Sequence, residues 1–180
     1  MQKITIISGT NRQGSYTEKV ALQYKKLLET KSIPVSLLSL TELPKEIAFE
    51  DLYGKRSAEF EKIIQNYIEN NSNFIFVVPE YNGSFPGILK LFLDAISPSK
   101  WTDKNVCLVG VSSGRAGNLR GMEHLTNILN YLKMHVYHNK LPISQVDKLY
   151  ANGELESEET LKVIEKQLEG YLKLIQCTLH

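Results

Sequence analysis

The chain alternates short, mostly apolar runs with longer segments whose apolar residues recur every three or four positions. The apolar runs predict five β-strands, at residues 3–8, 35–40, 74–78, 105–111 and 134–137. Several of these runs do not alternate apolar with polar residues, which is typical of strands covered on both faces. The pattern therefore predicts a sheet buried between two layers.

The helical spacing predicts five α-helices that alternate with the strands, at residues 16–29, 57–70, 87–96, 119–132 and 158–175. The stripe of the first helix consists of Val20, Ala21, Tyr24, Leu27 and Leu28. Strands that alternate with helices imply right-handed crossovers and a parallel sheet with helices on both faces. Five such strands favour an α/β three-layer sandwich with the flavodoxin-like strand order 2-1-3-4-5.

Length and composition restrict the possible classes of protein. A chain of 180 residues without a linker or an internal repeat predicts a single domain over residues 1–180. With 21 basic and 20 acidic residues the net charge is +1, which argues against nucleic acid and anionic membranes as partners. No run approaches the ~18 apolar residues of a membrane span, and the first apolar run is too short for a signal peptide. We therefore expect a soluble, cytoplasmic protein.

The loop after the first strand, residues 8–17, combines glycines, hydroxyl side chains and an arginine. Gly14 permits a close approach of the backbone to a ligand. Ser15 or Thr17 can cap the following helix, whose N-terminus offers free N–H groups and a partial positive charge to a phosphate. Arg12 adds a permanent cation. Because the P-loop lysine and a G-x-G-x-x-G motif are both absent, a single phosphomonoester fits this loop best, the alternative being an ordinary capped turn.

The loop after the third strand, residues 79–87, reads Pro-Glu-Tyr-Asn-Gly-Ser-Phe-Pro-Gly. Asn82-Gly83 is a turn signal, and Tyr81 offers a flat face beside groups that form hydrogen bonds. Such a loop at the carboxyl end of a strand is suited to a planar ring rich in heteroatoms, the alternative being a structural turn. Glu80 is interpreted as a hydrogen-bond acceptor or a solvated side chain rather than a catalytic acid.

The loop after the fourth strand, residues 111–118, is rich in serine and glycine. Ser112 and Ser113 add hydroxyl groups to the backbone donors of the loop. Arg115 and Arg120 lie close by in the sequence, where they can meet a second anionic substrate or remain solvated. In the predicted strand order, the loops after strands one, three and four meet at one edge of the sheet.

The sequence contains no motif for a metal site, a redox-active cysteine pair or a hydrolase nucleophile. No HExxH, paired-cysteine or EF-hand spacing appears, so we predict no metal site. The two cysteines form no CxxC pair, and no G-x-S-x-G nucleophile elbow occurs. The histidines build no common site; they are His124, His135, His138 and His180. An enzyme without such residues would let a cofactor carry the chemistry.

Residues 9–15 and 79–87, with Leu89-Lys90 and Leu93-Asp94 behind them, resemble the NADPH-dependent FMN reductase family, which includes azoreductase-like and chromate- or quinone-reducing members. The similarity covers almost the whole chain. Two positions depart from the family pattern: Thr10 stands where serine is usual, and Thr17 stands where asparagine is common.

The resemblance implies a set of FMN-binding residues. The phosphate is expected on the first loop, at Gly9, Thr10, Arg12, Ser15, Tyr16 and Thr17. The isoalloxazine ring is expected along the second loop, at Pro79, Glu80, Tyr81, Asn82 and Gly83. The pyrimidine side of the ring is expected beside the third loop, at Ser112, Ser113, Gly114 and Arg115.

The resemblance also implies an activity. Hydride would pass from NADPH or NADH to flavin N5, and the electrons would then reach a quinone, an azo compound, free flavin or a metal oxyanion. The flavin carries this chemistry, so no side chain is assigned as catalytic. A homodimer or homotetramer is implied as well. Two alternatives stay open: a flavodoxin-like electron carrier without NAD(P)H activity, which the near-neutral charge disfavours, and a non-catalytic binding protein on the same fold.

Overall fold

The computed structural model describes residues 3–53, 55–151 and 154–177 and is built on one six-stranded sheet. Its strands run in the order β2-β1-β3-β4-β5, β6 also pairs with β4, and every pairing is parallel. The strands are β1 Ile4–Ser8, β2 Val35–Ser39, β3 Asn73–Pro79, β4 Asn105–Val111, β5 His135–Val136 and β6 Leu141–Ile143. The predicted flavodoxin-like order is confirmed.

Helices cover both faces of this sheet. They are α1 Tyr16–Thr30, α2 Ala58–Ile63, α3 Gly87–Asp94, α4 Leu119–Tyr131 and α5 Glu158–Cys177. The chain continues from α2 as a π-helical segment, Ile64–Glu69, and a second π-helical segment spans Ile47–Asp51. Short 3₁₀ turns lie at Leu40–Glu42, Pro98–Lys100 and Val146–Lys148. None of the helices in the described ranges is long and apolar enough to cross a membrane.

The core has two parts because successive residues of a strand point to opposite faces of the sheet. In β3, Phe76 belongs to the cluster packed under α2, α3 and α4, whereas Ile75 belongs to the cluster packed under α1 and α5. Both side chains are fully buried, and every residue of β1, β3 and β4 is buried. The continuous apolar runs of the sequence are therefore explained by burial on both sides.

The fifth position of the sheet differs from the prediction of one strand at residues 134–137. Here β5 pairs with the first part of β4 and β6 pairs with the last part. Between them the Gln167 side chain of α5 donates hydrogen bonds to the carbonyls of Leu108 (3.0 Å) and Asn139 (2.7 Å). The buried Gln167 amide thus takes the place of strand neighbours that are missing between β5 and β6. It satisfies the Leu108 carbonyl of β4, which would otherwise be unpaired.

A small antiparallel pair was not predicted. It joins β7 Tyr150–Ala151 to β8 Glu154–Leu155, outside the main sheet. The prediction of one domain over residues 1–180 remains a prediction. Residues 1–2, 54, 152–153 and 178–180, and with them His180, lie outside the described residues.

Candidate functional site

A cleft of about 340 Å³ lies where the loops after β1, β3 and β4 meet. Its volume falls within the range of small-molecule and cofactor sites. The lining residues are Arg12, Gly14, Ser15, Tyr16, Thr17, Pro79, Glu80, Tyr81, Val111, Ser112, Ser113 and Val146. The fold therefore brings three loops that are distant in the sequence into one cavity.

The first wall of the cleft is the N-terminus of α1. Ser15 caps the helix, because its Oγ accepts a hydrogen bond from the Glu18 N–H. The N–H groups of Tyr16 and Thr17 have no acceptor among the described residues, as the geometry of a helix start requires. Thr17 is only 2% exposed, and its hydroxyl makes no hydrogen bond to the described part of the chain. These donors and the helix dipole suit an anion.

Arg12 extends this wall. Its side chain is exposed and forms no ion pair with the described residues. Its backbone N–H donates to Thr10 Oγ1 at 3.2 Å, so the buried Thr10 supports the loop without lining the cleft. Gly9 also lies outside the lining. A Cβ atom there would be 3.1 Å from the Val77 carbonyl, so glycine lets the loop pass close to β3.

The second wall is the turn after β3. Tyr81 and Ser84 exchange backbone hydrogen bonds of 2.8 and 3.1 Å around the central residues Asn82 and Gly83. Both central residues have positive φ, +51° and +74°, as in a type I′ turn, for which Asn-Gly is the preferred sequence. Asn82 and Gly83 form the turn and do not line the cleft, whereas Tyr81 does. The hydroxyl of Tyr81 lies 3.0 Å from Thr10 Oγ1.

The third wall comes from the loop after β4. The Ser112 N–H donates to the Ile143 carbonyl at 3.0 Å, and the Val146 N–H donates to the Ser112 carbonyl at 3.1 Å. These bonds fasten the loop to the chain after β6 and bring Val146 into the lining. Ser112 Oγ accepts from the Gly114 N–H at 2.9 Å. Gly114 and the exposed Arg115 lie outside the lining.

The sequence did not reveal two residues that hold the loops after β3 and β4 in place. Asn118 is fully buried in the left-handed region (φ +65°), and its Nδ2 donates to the Val78 carbonyl at 2.9 Å. His124 Nδ1 lies 3.0 Å from Ser84 Oγ and connects α4 to the turn after β3. A glycine-asparagine pair before a helix was the only signal for the first contact. No sequence signal existed for the second, because Ser84 and His124 are 40 positions apart.

Tyr150 is a half-buried tyrosine that packs against Tyr16 at the edge of the cleft. The ring of Tyr16 lies 5.6 Å from that of Tyr150, and Lys19 lies over both rings. Burial raises the pKa of Tyr150 to about 12. Its hydroxyl is therefore protonated at neutral pH and adds no negative charge near the N-terminus of α1. No cluster of three or more His, Cys, Asp or Glu side chains suited to a metal ion occurs in the ranges that the structure describes.

Comparison with known proteins now identifies the family. The family model for NADPH-dependent FMN reductase matches residues 2–148, which is most of the chain. The chain belongs to the NADPH-dependent FMN reductase family. It is accordingly an oxidoreductase that works with FMN and NAD(P)H, and the resemblance stated from its motifs is confirmed.

Individual relatives of this FMN reductase agree with the assignment. It is 26% identical to a 2-hydroxy-1,4-benzoquinone reductase of Burkholderia sp, with 94% of this chain and 93% of the relative covered. It is 29% identical to a quinone reductase of Pseudomonas putida over 83% of this chain and 77% of the relative. Its fold is similar to that of a flavoenzyme NAD(P)H:(acceptor) oxidoreductase from Paracoccus denitrificans, with a TM-score of 0.82, 22% identity and 98% of both chains covered.

The groups in the cleft fit FMN. The unpartnered Thr17 hydroxyl, the free N–H groups at the start of α1 and the unpaired Arg12 guanidinium form the donor set that a phosphomonoester needs. Tyr81, Val111 and Val146 add aromatic and aliphatic surface to the same cleft, as a flat ring requires. One cavity therefore combines a set of donors for a phosphate group with an apolar wall for a ring.

Proposed function

We propose that this protein is a cytoplasmic NAD(P)H:quinone oxidoreductase that binds FMN in the three-loop cleft. The observation that carries the proposal is the convergence of an anion-binding helix start and an aromatic turn on one cavity of about 340 Å³. Quinones are favoured as acceptors because two relatives, from Burkholderia sp and Pseudomonas putida, are named for quinone reduction. A cytoplasmic location follows from the reductant, since NAD(P)H is supplied inside the cell.

The residues of the cleft bind and orient the cofactor. We assign the phosphate to the loop of Gly9 and Thr10 and to the side chains and N–H groups of Arg12, Ser15, Tyr16 and Thr17. We assign the ring to Pro79, Glu80 and Tyr81, held in place by the turn at Asn82 and Gly83, with Ser112 and Ser113 on its pyrimidine side and Gly114 and Arg115 in the loop behind them. When bound, FMN would supply the redox chemistry, which is hydride transfer from NAD(P)H followed by two-electron reduction of the acceptor.

The protein contributes placement and electrostatics rather than a proton donor. The turn at Asn82 and Gly83 holds the Tyr81 ring at the wall of the cleft, and the bonds from Ser112 to Ile143 and Val146 hold the opposite wall. The hydroxyl groups of Ser112 and Ser113, which line this side of the cleft, would stabilise negative charge on the bound ring without the cost of reorienting water. Arg115 and Arg120, both exposed, are available to the 2′-phosphate of NADPH.

An anaerobic experiment tests this function. The purified chain, loaded with FMN, is mixed with NADPH or NADH, and the visible absorbance of the flavin is followed. We expect bleaching by the reduced nucleotide and recovery on addition of a benzoquinone. Bleaching by dithionite but not by either nucleotide would instead indicate an electron carrier. Faster recovery with an azo dye than with the quinone would move the assignment of the acceptor to azo compounds.

We also propose that the chain forms a homo-oligomer, at least a homodimer, through the groove between α3 and α4. The groove measures about 370 Å³ and is lined mostly by apolar side chains, including Leu93, Ile128 and Tyr131. Tyr131 is 83% exposed in the single chain and adjoins this apolar lining, so that a second copy of the chain would cover one continuous apolar patch. The expected mass in solution is at least twice the 20.5 kDa of one chain.

Sedimentation equilibrium of Tyr131→Glu tests the proposed interface, because a buried carboxylate would oppose association. Tyr53→Glu is the matched control, since Tyr53 is 91% exposed but lies outside the groove. We expect the first variant to dissociate and the second to remain associated. An unchanged mass for both variants would contradict the use of this groove.

A further inference from the structure

Two hydroxyl groups join the loop after β1 to the turn after β3. Tyr81 Oη and Thr10 Oγ1 lie 3.0 Å apart, and Thr10 Oγ1 also accepts a hydrogen bond from the Arg12 N–H at 3.2 Å. Thr10 is only 1% exposed, so water hardly competes for its hydroxyl. Tyr81 and Arg12 both line the cleft. The contact therefore connects the loop assigned to the phosphate with the turn assigned to the ring.

The hydrogen-bonding capacity of the pair can be counted. A hydroxyl group has one proton and two acceptor positions, and the Arg12 N–H fills one acceptor position of Thr10. The bond between Thr10 and Tyr81 uses one of the two hydroxyl protons, whichever group donates it. One O–H donor therefore remains, on Thr10 if Tyr81 donates and on Tyr81 if Thr10 donates. Such a pair favours an anion over a neutral acceptor.

The structure around the pair makes its geometry stiff. Thr10 is β-branched, which restricts its χ1 angle, and the turn that carries Tyr81 is closed by two backbone hydrogen bonds to Ser84. While the Tyr81 ring lies at the wall of the cleft, its hydroxyl lies within hydrogen-bond distance of Thr10 Oγ1. The hydroxyl of Tyr81 therefore acts on the first loop, although its ring belongs to the second.

We propose that Tyr81 is a positioning residue for the phosphate-binding loop: acting through Thr10, its hydroxyl holds residues 10–12 in the arrangement that receives the phosphate of FMN. This inference rests on the proposed FMN site and assigns to Tyr81 a second role beside its ring. Loss of the hydroxyl weakens the binding of a flavin that carries a phosphate and spares a flavin that lacks one. A ring contact alone would affect both flavins equally.

Titration of the apo chain with FMN and with riboflavin, followed by quenching of flavin fluorescence, tests the inference. The unmodified chain is expected to bind FMN more tightly than riboflavin. Tyr81→Phe keeps the ring and is expected to weaken FMN binding about five- to tenfold, the usual effect of one lost hydrogen bond, while riboflavin binding changes less than about twofold. The matched control is Tyr53→Phe, which removes the hydroxyl of an exposed tyrosine outside the cleft and should change neither affinity.

Two variants of the partner residue complete the test. Thr10→Ser keeps the hydroxyl and should retain the preference for FMN. Thr10→Val removes it, and addition of Tyr81→Phe to Thr10→Val should then cost little more, because the two hydroxyls act as one unit. Thermal unfolding of each apo variant shows whether it is folded. If Thr10→Val does not fold, the two single variants Tyr81→Phe and Thr10→Ser decide the question.

The outcomes separate this inference from the proposed function. Equal losses for FMN and riboflavin in Tyr81→Phe, no loss for either, or an unmodified chain that binds both flavins equally would overturn the positioning role and leave the flavin site in place. An unmodified chain that binds neither flavin would refute the proposed function and this inference together.

Discussion

Thr17 and Thr5 are both nearly inaccessible to solvent, but their hydroxyl groups serve different purposes. Thr5 Oγ1 donates to the Tyr67 carbonyl at 3.1 Å and lies 3.1 Å from Ser36 Oγ, so its hydrogen bonds are internal to the fold. Thr17 lines the cleft and makes no hydrogen bond to the described residues. A hydroxyl group at the wall of a cleft that has no internal partner remains free to form a hydrogen bond to a ligand.

This contrast predicts the effect of replacing Thr17 with valine, which has the same shape. Thr17→Val should weaken FMN binding about 10- to 100-fold, as expected for a lost hydrogen bond to a charged group. The free energy of unfolding of the apo chain should not fall, since no internal hydrogen bond is lost. Flavin titration and urea unfolding measure the two quantities.

Thr5→Val is the matched control and should behave in the opposite way. It should lower the free energy of unfolding by about 1 kcal/mol, because the Tyr67 carbonyl and the Ser36 hydroxyl each lose a hydrogen bond, while Asn71 Nδ2 still donates to that carbonyl. Its FMN affinity should remain unchanged. A Thr17→Val variant that loses stability but keeps its FMN affinity would contradict a ligand-binding role for Thr17.

At the scale of elements, the position of α4 controls the turn after β3. Gly121 lies in the first turns of α4, where an added Cβ would be 2.1 Å from Asn118 Oδ1 and 2.8 Å from the Ser84 carbonyl carbon. Asn118 in turn holds the carbonyl of Val78. The helix, the third loop and the turn after β3 are therefore packed against one another.

Gly121→Ala tests this coupling. The added methyl group should displace Asn118 or the turn, lower the free energy of unfolding by about 1–3 kcal/mol and weaken FMN binding. Gly87→Ala is the matched control, because nothing lies within 4 Å of a Cβ atom there, and it should stabilise the chain by about 0.5 kcal/mol. Unchanged stability and FMN affinity in Gly121→Ala would show that the close approach is not maintained in solution.

The split fifth strand predicts a structural role for Gln167. Its Oε1 accepts from the Tyr24 hydroxyl at 2.5 Å, and its amide nitrogen donates to the Leu108 and Asn139 carbonyls. Gln167→Leu should lower the free energy of unfolding by about 3 kcal/mol, since it leaves these buried groups unpaired. Urea unfolding measures the change, and Gln23→Leu on the partly exposed face of α1 serves as control. A loss below about 1 kcal/mol would contradict the role.

The strands and the loops of the site differ in how well the sequence alone predicts them. The central strands were predictable because β1, β3 and β4 are buried on both faces and read as continuous apolar runs. The division between β5 and β6 was not, because it depends on Gln167, which α5 brings from a distant part of the chain. Val146 enters the cleft through a tertiary hydrogen bond to Ser112 and carries no motif. Ser15 was predictable as a cap, but its choice over Thr17 depends on the backbone geometry.

At the scale of the whole molecule, the sheet order creates the site. The strands β1, β3 and β4 are neighbours and parallel, so their carboxyl ends lie at one edge although their loops begin near residues 8, 79 and 111. The α3–α4 groove lies on another part of the surface and shares no lining residue with the cleft. The proposed FMN site and the proposed surface of association therefore lie on separate parts of the fold.

Amide hydrogen exchange of the apo chain, recorded with and without saturating FMN, tests the three-loop site most directly. The account predicts slower exchange with FMN in residues 10–17, 79–84 and 112–118 together, because free N–H groups at the start of α1 become bonded and the two other loops are held against the ring. Residues 161–175 of α5 should exchange at the same rate in both samples. Protection that is absent from all three loops, or that is confined to segments outside them, would contradict the account.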